Sequence, residues 1–108
     1  MSRFSDIVAR LDAVNAARKG ADPASSYTAR LLAGGVALAA KRFGEEAVEA
    51  VLAAAQGDQD ALAAESADLI YHWLVLLAAA GVSLDQVAAK LEAREGTSGI
   101  EEKASRPS

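Results

Sequence analysis

Two long apolar segments hinged on one glycine constrain this chain more than any other feature. Val36 to Gln56 and Gln59 to Ala80 are apolar around much of their circumference, and only Gly57-Asp58 separates them. Neither segment keeps the alternation of a strand, and helices that are apolar on several sides are buried on more than one side. A turn this tight leaves the two antiparallel, which predicts a helical hairpin; two such hairpins from two subunits make a four-helix bundle. The chain has 108 residues, enough for a single domain over 1–108, yet 52% of them are hydrophobic. That is more apolar side chain than a small monomer easily hides, so a homodimer or higher homo-oligomer is expected. Much of the apolar content is alanine and only 5% is aromatic, which favours closely packed helices over a sheet.

The remaining segments are helical too. Phe4, Ile7, Val8, Leu11 and Val14 recur at steps of three and four, the pattern of an amphipathic N-terminal helix within 1–20. Asp22-Pro23 breaks the chain, Ser25 or Ser26 caps a short helix over Tyr27 to Ala33, and Gly34-Gly35 stops it. Asp58 is placed to cap the second long helix, which ends at Gly81. Ser83 and Gln86 form a capping box that starts a last helix to about Ala93. The final stretch, 94–108, reads by composition as a loop or tail. The fold class is all-α.

Charge narrows the partners. A net charge of −4 and a pI near 4.9 leave no basic face for a nucleic-acid backbone. The absence of cysteine excludes disulfides and thiolate metal sites. MSRFSDIVARLD lacks the basic-then-apolar order of a signal peptide, and the apolar run from Leu69 to Val82 is shorter than the ~20 residues of a membrane span. The expectation is a cytoplasmic protein with no membrane partner.

Within the hairpin, acids stand in register. Glu46 with Glu49, and Glu65 with Asp68, are each three residues apart, so each pair projects from one helix face. Glu49 and Glu65 both lie eight residues from Gly57, and Glu46 and Asp68 both lie eleven. At a rise of about 1.5 Å per residue, four carboxylates sit at matching depths on facing helices. No Lys or Arg stands within a turn of Glu49, Glu65 or Asp68, so protonation or a cation must offset the repulsion. An all-oxygen ligand set suits Mg²⁺ first and Mn²⁺ second, and Mg²⁺ usually keeps positions open for substrate phosphates. The competing reading is a solvated acidic stripe. A di-iron bundle would need Glu-x-x-His, where this chain has Asp68; His72, its one histidine, reads as structural among apolar neighbours. Gly44 costs its helix roughly 1 kcal/mol relative to alanine, which points to close approach of another helix, or of substrate.

The segments KRFGEEAVEAV, ESADLIYHWLVLL, GVSLDQV and EGTSGIEEKASR, with ADPASSYTARLL before them, resemble the phosphoribosyl-ATP pyrophosphatase family of histidine biosynthesis. The resemblance runs from about Asp22 to Arg106. It implies Mg²⁺-dependent hydrolysis of phosphoribosyl-ATP to phosphoribosyl-AMP and pyrophosphate by a metal-activated water. In the wider all-α pyrophosphatase superfamily the metal-binding acids fall on E-x-x-E and E-x-x-D, here Glu46, Glu49, Glu65 and Asp68. Glu45 then becomes the residue that orients or deprotonates the attacking water. Lys41, Arg42, Lys103 and Arg106 become cations for the substrate's phosphates, although Lys41 and Arg42 also stand one turn before Glu45 and Glu46, where they can pair with them. The GTSG stretch has the composition of a loop that closes over a phosphate. Arg42-Phe43 and Gly35-Val36 depart from the commonest family pattern without touching the acids. The chain lacks the length and the Cys/His ligands for a fused cyclohydrolase. Two alternatives stay open: a house-cleaning nucleoside triphosphate pyrophosphohydrolase of the same superfamily, and a non-enzymatic helical dimer.

Overall fold

The computed structural model describes residues 2–96. The tail expected over 94–108 lies mostly beyond them, and Lys103 and Arg106 lie outside the described residues. Five helices and no strand occur within them: α1 (Arg3–Arg18), α2 (Tyr27–Ala33), α3 (Gly35–Ala55), α4 (Gln59–Ala80) and α5 (Leu84–Glu92).

Local chemistry sets most of the boundaries. The Ser26 hydroxyl accepts from the Ala29 N–H, and the Asp58 carboxylate accepts from the Ala61 N–H at 2.9 Å, each satisfying an orphan donor of the first helical turn. Ser83 and Gln86 make the reciprocal bonds of the capping box at the start of α5. Between α2 and α3 the chain turns at Gly35, whose φ of +77° lies in the left-handed region that favours glycine. Gly57, at φ +71°, makes the hairpin turn between α3 and α4.

That hairpin is the spine of the fold. Alanines let its helices approach closely: Ala39 and Ala53 are buried on α3. Leu31 of α2, Ala39 of α3 and Val75 of α4 form the core cluster, with Leu38, Tyr71 and Leu76 packed around it. Leu74 is fully buried as well. Leu74→Ala should therefore lower unfolding free energy by about 2–5 kcal/mol, the range for truncating a buried leucine; chemical denaturation followed by circular dichroism measures it.

Helix α4 is packed by α1, α2 and α3, but α3 is not buried on more than one side along its second half. Val48 is 58% exposed, Val51 66% and Leu52 48%, all on α3. The physical reason is that α1, α2 and α4 leave the outer side of α3 uncovered along its second half. The close approach expected at Gly44 does not come from within the chain. A Cβ at Gly44 would meet nothing within 4 Å, so no other helix of the same chain approaches there.

Helix α4 is long and apolar enough to cross a membrane by length and composition alone. The run from Leu69 to Val82 understates it, because the apolar character starts earlier. Yet Glu65, Asp68 and His72 fall within α4, and an acid at the centre of a bilayer costs about 2.5–3.5 kcal/mol even on lenient scales. The helix instead packs along α3 and against α1 and α2.

Candidate metal and substrate site

The antiparallel run of α3 and α4 brings acids from the two helices together. One carboxylate oxygen each from Glu46, Glu65 and Asp68 lies within 4.8 Å of the others. Glu46 and Glu65 are half-buried and Asp68 is exposed. Glu49 stands one turn nearer the hairpin end, exposed and outside this tight group. Its charge nevertheless acts on Glu65. The Glu65 carboxyl is pushed above the ordinary carboxylate range, first by desolvation and then by the negative charges of Asp68, Glu49 and Glu46.

The donor set fits a hard divalent cation. Three carboxylates from facing helices converge on one small volume, and one of them pays for its environment by holding its proton more tightly. Oxygen-only ligation of this kind suits ions of the Mg²⁺ class.

The direction of the Glu65 shift fixes a pH dependence. Because its folded pKa is raised, the folded state binds a proton that the unfolded state has already released between the ordinary and the raised value. In the metal-free protein the penalty is thus fully present above the raised value and is relieved as pH falls through it. A cation competes with that proton. Added Mg²⁺ should raise the melting temperature most at neutral pH and progressively less as pH falls through the raised range of Glu65, as read by thermal scans with and without the ion.

The neighbouring charges occupy other places. The Arg42 guanidinium donates to the Glu45 carboxylate at 3.0 Å, and both side chains are about half exposed, at 45% and 49%. This is a surface pair within one turn of helix, of the kind worth about 0.3–0.5 kcal/mol. Glu45 thus points to Arg42 and is not one of the three converging acids. Lys41 is exposed and pairs with no carboxylate among the described residues.

His72 is buried, and both of its ring nitrogens are engaged. Nδ1 lies 2.8 Å from the Asp68 carbonyl oxygen and Nε2 lies 3.2 Å from the Tyr27 hydroxyl. A carbonyl only accepts, so Nδ1 carries a proton, and in the neutral ring Nε2 accepts from the Tyr27 O–H. The structural reading of His72 is the one this geometry favours. Sequence reasoning passed over what surrounds it. The Tyr71 and Thr28 hydroxyls are hydrogen-bonded, and the Tyr27 and Tyr71 rings stack with centroids 6.4 Å apart. The available signal was scarcity: both tyrosines and the one histidine of the chain meet at this point.

Comparison with known proteins places this geometry in context. A sequence model of the family described as phosphoribosyl-ATP pyrophosphohydrolase matches residues 8–95. A protein of Caulobacter vibrioides (strain NA1000 / CB15N) named phosphoribosyl-ATP pyrophosphatase is 68% identical over 104 residues, covering 96% of each chain. A protein of the same name from Caulobacter sp. (strain K31) is 64% identical over the full length of both. Another, from Dinoroseobacter shibae, is 60% identical over 93% of this chain and 98% of its own.

Proposed function

We propose, since this chain belongs to the phosphoribosyl-ATP pyrophosphohydrolase family, that it hydrolyses phosphoribosyl-ATP to phosphoribosyl-AMP and pyrophosphate in histidine biosynthesis. The observation that carries the reading is the convergence of Glu46, Glu65 and Asp68 from two helices in a chain that this family covers almost end to end. It is a hydrolase, and the finer statements follow from the chemistry of its side chains.

Glu46, Glu65 and Asp68 would hold Mg²⁺, with Mn²⁺ as a substitute, and Glu49 would complete the set from one turn away. When bound, such an ion supplies positive charge to the triphosphate and to the pyrophosphate that leaves. The residues of the chain do the rest. Carboxylates alone repel a polyphosphate, so cations must accompany them, and Lys41 and Arg42 stand on the same helix as Glu46. Arg42 would exchange its surface partner for phosphate, which releases Glu45 to orient the attacking water. Lys103 and Arg106 are further candidates for phosphate contacts.

The exposed apolar side of α3, with Val48, Val51 and Leu52, supports a homodimer in which two hairpins form a four-helix bundle. The whole of 1–108 then serves as a single domain. Gly44 lies among these exposed residues, so the close approach that its lack of a side chain permits belongs to a second copy or to substrate. With a net charge of −4 and acids along α4, the setting is the cytoplasm, away from nucleic acid and membranes.

Pyrophosphate release tests the proposal. Phosphoribosyl-ATP and a panel of ordinary nucleoside triphosphates are each offered with and without Mg²⁺. Phosphoribosyl-ATP is expected to be the preferred substrate and turnover to require the ion. Preference for an ordinary triphosphate would make this a house-cleaning enzyme, and no turnover of any nucleotide with the ion present would remove the enzymatic reading.

A further inference from the structure

Tyr27 is a half-exposed aromatic side chain whose orientation is fixed by two residues of α4, Tyr71 and His72. The residue is 48% exposed, yet three contacts fix its ring. The hydroxyl is bonded to His72 Nε2 at 3.2 Å, the ring stacks on Tyr71 at an interplanar angle of 21°, and the His72 ring meets it edge-on with centroids 6.0 Å apart. Tyr71 is held in turn by Thr28, the residue after Tyr27. A tyrosine serving only the core would bury its ring; one serving only solubility would be left free to move. This ring combines an open side with a locked orientation, which removes the entropy cost of ordering it when a flat ligand arrives.

Its position is tied to α4, the helix that carries Glu65 and Asp68. His72, which holds the Tyr27 hydroxyl, also donates to the Asp68 carbonyl at 2.8 Å, and Asp68 and His72 are separated by one turn of α4, about 5.4 Å. Tyr27 is therefore two hydrogen bonds away from the backbone carbonyl of Asp68, whose side chain belongs to the acidic trio. A nucleotide carries its base and its phosphates at the two ends of a ribose, so with its phosphates at the trio its base is free to meet a ring held from the next turn of α4.

We infer that Tyr27, braced by Tyr71 and His72, is the platform on which the nucleobase of the substrate stacks while the phosphates engage the acids of α3 and α4. The inference rests on the proposed nucleotide chemistry of the acidic site and adds to it a residue that binds the base. Stacking reads the flat π-face that every base has, so Tyr27 supplies affinity for a base, and discrimination between bases falls to other groups.

The test compares ligands with and without a base. Tyr27→Ala should raise KM for phosphoribosyl-ATP about ten-fold with kcat changed less than about twofold, the size expected for one lost base–aromatic contact. Binding in the presence of Mg²⁺, measured by calorimetry, should weaken by a similar factor for the α,β-methylene analogue of ATP and stay the same for inorganic tripolyphosphate. Tyr27→Phe, which keeps the ring, should retain most of the affinity for the analogue. Equal loss for both ligands would mean that the substitution disturbs the acids through His72, and the inference falls. It falls too if the analogue binds Tyr27→Ala as tightly as the parent, or if Tyr27→Ala changes the mass of the assembly in light scattering, which would make the ring a contact between copies. Failure of the parent protein to release pyrophosphate from phosphoribosyl-ATP would count against the proposed function alone, because the calorimetric comparison needs no turnover.

Discussion

Glu65→Gln is expected to lower the rate of pyrophosphate release at least about a hundredfold, beyond the loss typical of residues that merely support a metal ligand. It should also raise the melting temperature of the metal-free protein. The two effects have one cause. Glu65 feels Asp68, Glu49 and Glu46 as well as partial desolvation, so a neutral amide of the same shape removes the repulsion and, with it, the ligand. Melting curves with and without Mg²⁺ separate the two: the parent should be stabilised by the ion, and the variant should respond weakly. Loss of activity without a rise in metal-free stability would indicate that the carboxylate is not under strain from its neighbours. Glu49→Gln makes the internal comparison. Its carboxylate stands outside the tight trio and would be the outermost of the four ligands, so activity should fall, but by less than in Glu65→Gln; equal loss would put Glu49 on the same footing as Glu65.

The second large effect concerns assembly. Val48→Asp together with Val51→Asp should convert a dimer to a monomer, seen as half the mass in light scattering. Both positions are more than half exposed within the chain, and surface substitutions of this kind usually change the stability of an isolated fold by no more than about 0.5 kcal/mol. In a shared interface the result is different. A charge buried without a partner costs at least about 3 kcal/mol, and a two-fold interface presents every substitution twice. Association should then weaken by about 10⁴-fold or more. A parent protein already monomeric at micromolar concentration, or a variant that keeps the parent mass, would mean that the apolar side of α3 is not the contact.

Much of the fold was legible because its determinants are local. Capping by Ser26, Asp58 and Ser83 involves residues three apart, and helix geometry places such residues side by side whatever the rest of the chain does. The register of the acids followed in the same way. Once Gly57 is the hinge, equal counts along two helices mean equal heights, so Glu46 and Asp68 had to face each other at one level. The same counting could not tell that Glu49 would stand outside the group, because height says nothing about the rotation of a helix about its axis. Lys41 and Arg42 show the same limit: spacing allowed both to pair with the acids of their own helix, and only Arg42 does so.

Sequence by itself thus determined five helices, their ends, and the heights of four acids, since these depend on propensity, capping and a constant rise per residue. Tertiary structure alone decided which acids converge, that Gly44 meets nothing in its own chain, and that no helix of the same chain covers Val48 and Val51. It also brought Tyr27 to His72 and Thr28 to Tyr71 across separations of 45 and 43 residues. The physical reason is that such contacts are set by how α2 and α3 rotate and settle against α4, a compromise among many packed side chains that no local pattern encodes.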